Sequence, residues 1–312
     1  MSASSKSSRN SRKRINTDIS LATPILLAGL GLLIINRAGL LNIGAEGTML
    51  IATIMAVYGS YISGSVWVGL IFAMLSGAVV GALFALLTVT LRANQTVVGA
   101  AVNVLGSGLS ATLFRIMFGV SSEVPAIDVF RVAKIPGLSA IPVIGEGFFS
   151  HMPMVYIAFL LVPVISYFLF KTQAGLNLRS VGENPKVADT LGINVYRTQY
   201  IAAIVGSMII ALGGAFMSTG LTKFFSEEMV SGRGYIALAA VVFGRYKPTG
   251  IMGAAMVFMA GIVIANILMA QGSGIPYQFL NMIPYVLTVI ALAAFAHSAV
   301  APAALGKPYK RG

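Results

Sequence analysis

The sequence predicts an all-α fold, a polytopic bundle of transmembrane helices. Hydrophobic residues fill 57% of the 312 positions and charged residues only 10%, where a soluble chain carries about 25% charged. So few charges cannot cover a water-facing surface. Mean hydropathy is +0.88, and apolar runs close to the ~20 residues that a bilayer crossing needs recur along the chain. Open sheets leave backbone groups unpaired in hydrocarbon, so these runs are read as helices.

The elements follow in order. Residues 1–18, opening MSASSKSSRNSRKR, are basic and Ser-rich and read as a disordered tail. Residues 19–298 form the membrane domain and 299–312 a C-terminal cytoplasmic tail. The first span, Ile19–Ile35, lacks a small-residue cleavage site and is read as uncleaved. Next come Leu41–Tyr61, Val66–Leu91, Val97–Phe118, Met154–Phe170 and Gln199–Thr219. A short run at Tyr235–Phe243, then Ile251–Ala270 and Phe279–Ala296, bring the total to eight or nine crossings. The 34 glycines fall largely within the spans, where small residues let helices approach closely. The longest loop, Phe118–Pro153, mixes charges with apolar turns and reads as a segment on the membrane face.

One polar island interrupts the spans, KTQAGLNLRSVGENPKVADTLGINVYR at Lys171–Arg197. Asn184 is placed to cap a helix, Pro185 to occupy its first position and Gly192 to follow its end. The helix Pro185–Leu191 is about 10 Å long at about 1.5 Å per residue. It is too short and too polar to cross a bilayer, and reads as a stiff peg held between two spans.

Charge arithmetic leaves the orientation open. With the peg cytoplasmic and nine alternating crossings, eleven loop Lys and Arg fall inside, but the basic N-terminal tail falls outside, against the positive-inside rule. The opposite orientation reverses both. A third arrangement makes Leu41–Tyr61 re-entrant and places tail and peg on the same side.

Two Gly-broken segments invite comparison, Asn42-Ile-Gly-Ala-Glu-Gly47 and Ser231-Gly-Arg-Gly-Tyr235. Paired interrupted segments point to a central path in transporters built from inverted repeats, so these are a candidate inverted repeat. Glu46 is an acid early in an apolar span. Such groups cost several kcal/mol on insertion and face a bundle interior or a cavity. Glu46 either pins a broken helix or meets a substrate or coupling ion. With Asn42, Asn103 and Asn266 it forms the candidate lining of a translocation path.

The net charge of +12 is assigned to cytoplasmic loop ends rather than to nucleic-acid binding. The chain has no cysteine, and its two histidines, His151 and His297, lack partners at metal-ligand spacing. Catalytic carboxylate pairs, a Ser-His-Asp set and a phosphate-cradling Gly-Lys-Ser/Thr loop are all missing. The expectation is a non-catalytic transport subunit with no metal and no cofactor of its own, any nucleotide site lying on another chain. The rival readings are an ion-coupled secondary transporter, or a channel, working alone with Glu46 as its ion site.

GLLNIGAEGTMLIA at Gly39–Ala52, LRANQTVVGAAVNVLGSGL at Leu91–Leu109, GLNLRSVGENPKVADTLGINVYRTQY at Gly175–Tyr200 and GRGYIALAAVVFGRYKP at Gly232–Pro248 resemble the permease subunit of bacterial ABC importers. The branch is the one taking up ribose-like sugars, branched-chain amino acids and nucleosides, and the likeness is greatest to the shorter permease of nucleoside (basic-membrane-protein-type) systems. The resemblance covers about Leu21 to Phe295. It implies that Glu183, Asn184, Pro185, Ala188, Leu191, Gly192 and Ile193 form a cytoplasmic coupling helix against an ATPase. It also implies a second permease, an ATPase holding ATP and Mg at two nucleotide sites, an extracytoplasmic solute-binding protein, and a place in the bacterial inner membrane.

Overall fold

The computed structural model describes residues 3–119, 127–131, 133–134, 150–270 and 300–310, with isolated positions between 278 and 290. Side chains are described from Ile19 on, apart from those at 133, 134, 150, 266 and 270. Ten helices make up the described chain: α1 Ala3–Arg37, α2 Ala45–Ser63, α3 Val66–Ala85, α4 Gln95–Phe118, α5 Pro153–Lys171, α6 Gln173–Glu183, α7 Pro185–Thr190, α8 Val195–Phe216, α9 Arg233–Phe243 and α10 Pro248–Ala270. The last turns of α3 and α8 widen into π-helix at Leu86–Thr90 and Met217–Thr222. A two-residue antiparallel ladder pairs Ala133 with His151 and Lys134 with Ser150.

Seven of these helices are long and apolar enough to cross a membrane. The 11-residue α9 is too short for that. The expected span Phe279–Ala296 lies mostly outside the described residues, as does most of the loop after Phe118. Helix α1 begins at Ala3, so the backbone of the segment read as a disordered tail is helical.

Helices α1, α2 and α8 form the centre. In α1 89% of the apolar window is buried, against 28% in α4, which places α4 on the outside. Close crossings carry the packing. A methyl on Gly31 of α1 would collide with Gly206 O of α8, and one on Gly47 of α2 with Val102 O of α4. Within a bilayer lipid tails are as apolar as leucine, so this closeness of backbones, rather than exclusion of water, holds helices together.

The contacts sort the loops into two ends. At one end Arg37 donates through Nη2 to Tyr246 O at 2.7 Å and lies over the Phe170 ring, 6.0 Å from its centroid. Gly182, at the end of α6, abuts the backbone of Arg37 and Gly39. Leu41 N donates to Gln95 Oε1 at 2.6 Å, and Arg92 reaches the Tyr196 hydroxyl. At the other end Ser20 Oγ lies 3.4 Å from His151 Nδ1, Ser60 Oγ donates to Asp128 O at 3.0 Å, and the Tyr61 and Phe118 rings meet at 5.2 Å.

Helix α1 therefore runs parallel to α5 and spans the bundle once. The arrangement with tail and peg on one side is excluded: residues before Ile19 leave the bundle opposite α7. The expectation of a helical Leu41–Tyr61 also changes. The chain turns at Gly39 (φ +83°) and is non-helical to Gly44, and α2 begins at Ala45. Of the described loop and helix-end cations, Arg37, Arg92, Lys171, Lys186, Arg197, Arg245, Lys247 and Lys307 sit at the α7 end, against Arg131 and Lys223 at the other; this excess is the cytoplasmic signature, to which the basic residues before Ile19 are the exception.

Two tests follow from this packing. Gly31→Leu should abolish accumulation of the protein in membranes, whereas Gly253→Leu, where an added Cβ meets no atom within 4 Å, should leave it intact. Because the chain lacks cysteine, single thiols report topology without background. Lys186→Cys should be shielded from a membrane-impermeant maleimide in whole cells, and Glu227→Cys at the opposite end should react.

Candidate functional site

Two places in the fold concentrate polar chemistry. The first is inside the bundle. Gly232 opens α9 in the left-handed region, φ +80°. Gly232 N donates to Glu46 Oε1 and Gly234 N to Glu46 Oε2, both at 2.7 Å. Glu46 itself sits in the first turn of α2, so one buried carboxylate serves the positive ends of two helices. The start of α2 is capped from outside as well. Gly47 N donates to Asn103 Oδ1 at 2.9 Å, and Gly44 N to Asn42 Oδ1 at 2.7 Å. Asn103 Nδ2 donates to Ile43 O and to the Tyr235 hydroxyl, both at 2.9 Å.

Asn103 lies eight residues beyond Gln95, the first residue of α4, so this polar node is about 12 Å inside the bundle at about 1.5 Å per residue. The two Gly-broken segments thus meet. Residues 38–44 come in from the α7 end and continue as α2 toward the far end. Residues 223–232 come in from the far end and continue as α9 back toward α7. They run in opposite directions and share Glu46 at their junction.

Of the four residues expected to line a path, Asn42, Glu46 and Asn103 are brought together. Each spends its acceptors on backbone N–H groups. Asn266 belongs to α10, its side chain outside the described residues. Sequence reading missed Tyr235, 49% exposed, and Ser107, whose Oγ donates to Glu228 Oε1. Farther out, Arg115 pairs with Glu227 at 3.0 Å. The signal was present in the spacing of Asn103 and Ser107, four residues apart on one face of α4. Among the described residues, no three His, Asp or Glu gather as metal ligands would.

The second place is the peg. Thr172 caps α6 by accepting from Gly175 N at 3.1 Å, Asn184 caps α7 by accepting from Val187 N at 3.2 Å, and Asn194 caps α8 by accepting from Arg197 N at 2.9 Å. Pro185 takes the first helical position, and Gly192 (φ +82°) reverses the chain after Leu191.

The seven residues expected to meet a partner divide here. Ala188 is 1% exposed and packs inward with Val181, Val195 and Tyr309, with Ile193 against the same cluster. Glu183 Oε2 accepts from Ala303 N of the chain's own C-terminal segment at 3.2 Å. Leu191 faces out, 73% exposed, and Val187, which sequence reading did not select, is 52% exposed one turn before it. Beside them a cavity of about 970 Å³ opens between α6 and the start of α8, lined by Phe168, Leu176, Leu191, Ile193, Arg197 and Ile201 among others.

Residues 15–296 match the family described as the permease component of branched-chain amino acid transport systems. The chain belongs to this permease family. The permease is 38% identical over 300 residues, 93% of this chain and 94% of the relative, to the guanosine ABC transporter permease protein NupQ of Bacillus subtilis. It is 34% identical to the nucleoside ABC transporter permease protein NupC of Lactococcus lactis, covering 92% of this chain and 93% of the relative. It is 35% identical to the putative glucose ABC transporter permease protein TsgC13 of Haloferax volcanii, covering 78% and 74%. The Bacillus and Lactococcus strains each carry a second protein of the same transporter name that is similar to the permease, at 24% and 23% identity. No solved structure matches. With seven apolar helices among the described residues the permease is a multi-pass protein of the bacterial inner membrane.

The internal node yields a stability test. Glu46→Ala leaves the N–H groups of Gly232 and Gly234 without an acceptor, at about 1–3 kcal/mol for each unsatisfied buried donor. Glu46→Gln keeps one oxygen but turns an amide NH2 toward a donor. Thermal unfolding of the purified protein in detergent should rank native, Glu46→Gln, Glu46→Ala in falling stability. Equal midpoints would show that this carboxylate is not the cap.

Proposed function

We propose that this chain is the membrane subunit of an ATP-driven importer that carries nucleosides. It would pair with a second permease, receive solute from an extracytoplasmic binding protein, and be driven by an ATPase that holds ATP and Mg. The single observation that carries the reading is the two-faced peg. The inner face of α7 is docked on its own chain through Ala188, while Val187 and Leu191 stand exposed on the cytoplasmic side. A free apolar edge of a rigid, capped helix, continuous with a cavity through Leu191, suits a protein partner that pushes on it.

The nucleoside assignment rests on the transporter names of the two relatives that match over nine-tenths of the chain. The chemistry is compatible. Along α4 and the broken segment lie exposed or half-buried hydroxyl, amide and carboxylate groups at Asn103, Ser107, Tyr235 and Glu228. Such groups at membrane depth favour a hydrated path over a lipid-facing surface, and they can exchange hydrogen bonds with sugar hydroxyls and base edges. Chain Glu46 as a lone ion site is disfavoured, since both of its oxygens are occupied by backbone donors.

Reconstitution in liposomes tests the proposal. The chain with its ATPase, second permease and binding protein should take up labelled guanosine only when ATP is supplied on the cytoplasmic side. Uptake driven by an ion gradient without the ATPase would overturn it. Val187→Asp and Leu191→Asp should each lower uptake more than tenfold while the protein still inserts. Ala188→Asp should instead lower the amount of folded protein, because it places a charge in a site only 1% exposed.

A further inference from the structure

The described C-terminal segment, residues 300–310, is not a free tail. It crosses the α7 end of the bundle as a strap, bonding to the end of α6 and to the bend at Gly39 and packing into the cluster that seats α7. Ala303 N donates to Glu183 Oε2 at 3.2 Å and Ala304 N to Gly182 O at 3.0 Å, both at the end of α6. Gly306 N donates to Gly39 O at 3.1 Å, at the bend where the chain leaves α1 for the broken segment. Tyr309 is 7% exposed in the cluster that seats α7, with Val181, Ala188 and Val195, and its ring lies 5.7 Å from that of Tyr196.

These contacts have a mechanical consequence. Tyr309 belongs to the apolar cluster on which the inner face of the peg sits, and three residues earlier the same strap is bonded to Gly39. From Gly39 only a short non-helical stretch leads to Asn42 and Glu46, the node that caps α2 and α9. The end of α6, which leads straight into α7, also abuts Gly39 through Gly182, and the strap braces that same junction by bonding to both Gly182 and Gly39. Without the strap, the cluster under α7 loses its largest side chain and the bend at Gly39 loses a backbone partner.

We propose that the C-terminal strap, with Tyr309 and Gly306 as its positioning residues, joins the coupling helix to the broken segment Leu41–Glu46 and so carries the peg's displacement to the path. This rests on the importer reading above. The strap moves with α7, and the bend at Gly39 moves with the strap.

The test uses the full importer complex in liposomes, measuring guanosine uptake and ATP hydrolysis on the same preparation. Uptake by the native complex must come first, since its absence sinks the importer reading rather than the strap. Given native uptake, a chain ending at Val300 and a Tyr309→Ala chain should both co-purify with the ATPase and hydrolyse ATP within about twofold of native. Their uptake per ATP should fall at least tenfold, and Tyr309→Phe, which keeps the ring, should restore it. If the truncated chain does not accumulate, the Tyr309 pair decides alone. Native uptake per ATP in Tyr309→Ala, or loss of ATPase co-purification in that variant, would overturn the proposal.

Discussion

The architecture depends on one carboxylate. Two helices of this protein begin inside the bundle rather than at its surface, and a helix N-terminus leaves several N–H groups without partners. In hydrocarbon each such group costs several kcal/mol. Glu46 accepts from two of those donors on α9 while standing in the first turn of α2. Asn103 and Asn42 satisfy two more at the start of α2.

The glycines make that node geometrically feasible. A side chain at Gly234 would run into the backbone of Glu46, and one at Gly106 or Gly47 would separate α2 from α4. Close approach is what lets a short carboxylate and a short amide reach backbone donors on neighbouring helices. The same logic holds at the centre, where α1 crosses α8 at Gly31 and Gly206. Small residues here serve both packing and polar satisfaction, since the second needs the first.

The peg obeys a different physics. It is too short and too polar to cross a bilayer, and it is ordered by local caps at Thr172, Asn184 and Asn194 and by a small separate apolar cluster. Its inner face is the chain's own. Its outer face presents Val187 and Leu191. It is stiff in itself and anchored on one side only, which is what the proposed coupling role would require.

Much of this was legible in the sequence. The membrane class, the positions of the seven described spans within a few residues, the peg and its caps all come from short-range rules: hydropathy over about 20 residues and cap residues at fixed offsets. The sequence by itself also singled out Glu46 and the two Gly-broken segments. Tertiary structure alone decided the rest. It placed tail and peg at opposite ends of α1, turned Ala188 inward and left Val187 exposed, and drew the C-terminal residues under the peg. It also joined Glu46 to Gly232 and Gly234, positions more than 180 residues away. The physical reason is range. Hydropathy and capping act between neighbours along the chain, whereas which face of a helix is covered, and which donor a carboxylate meets, depend on helices brought together only by folding.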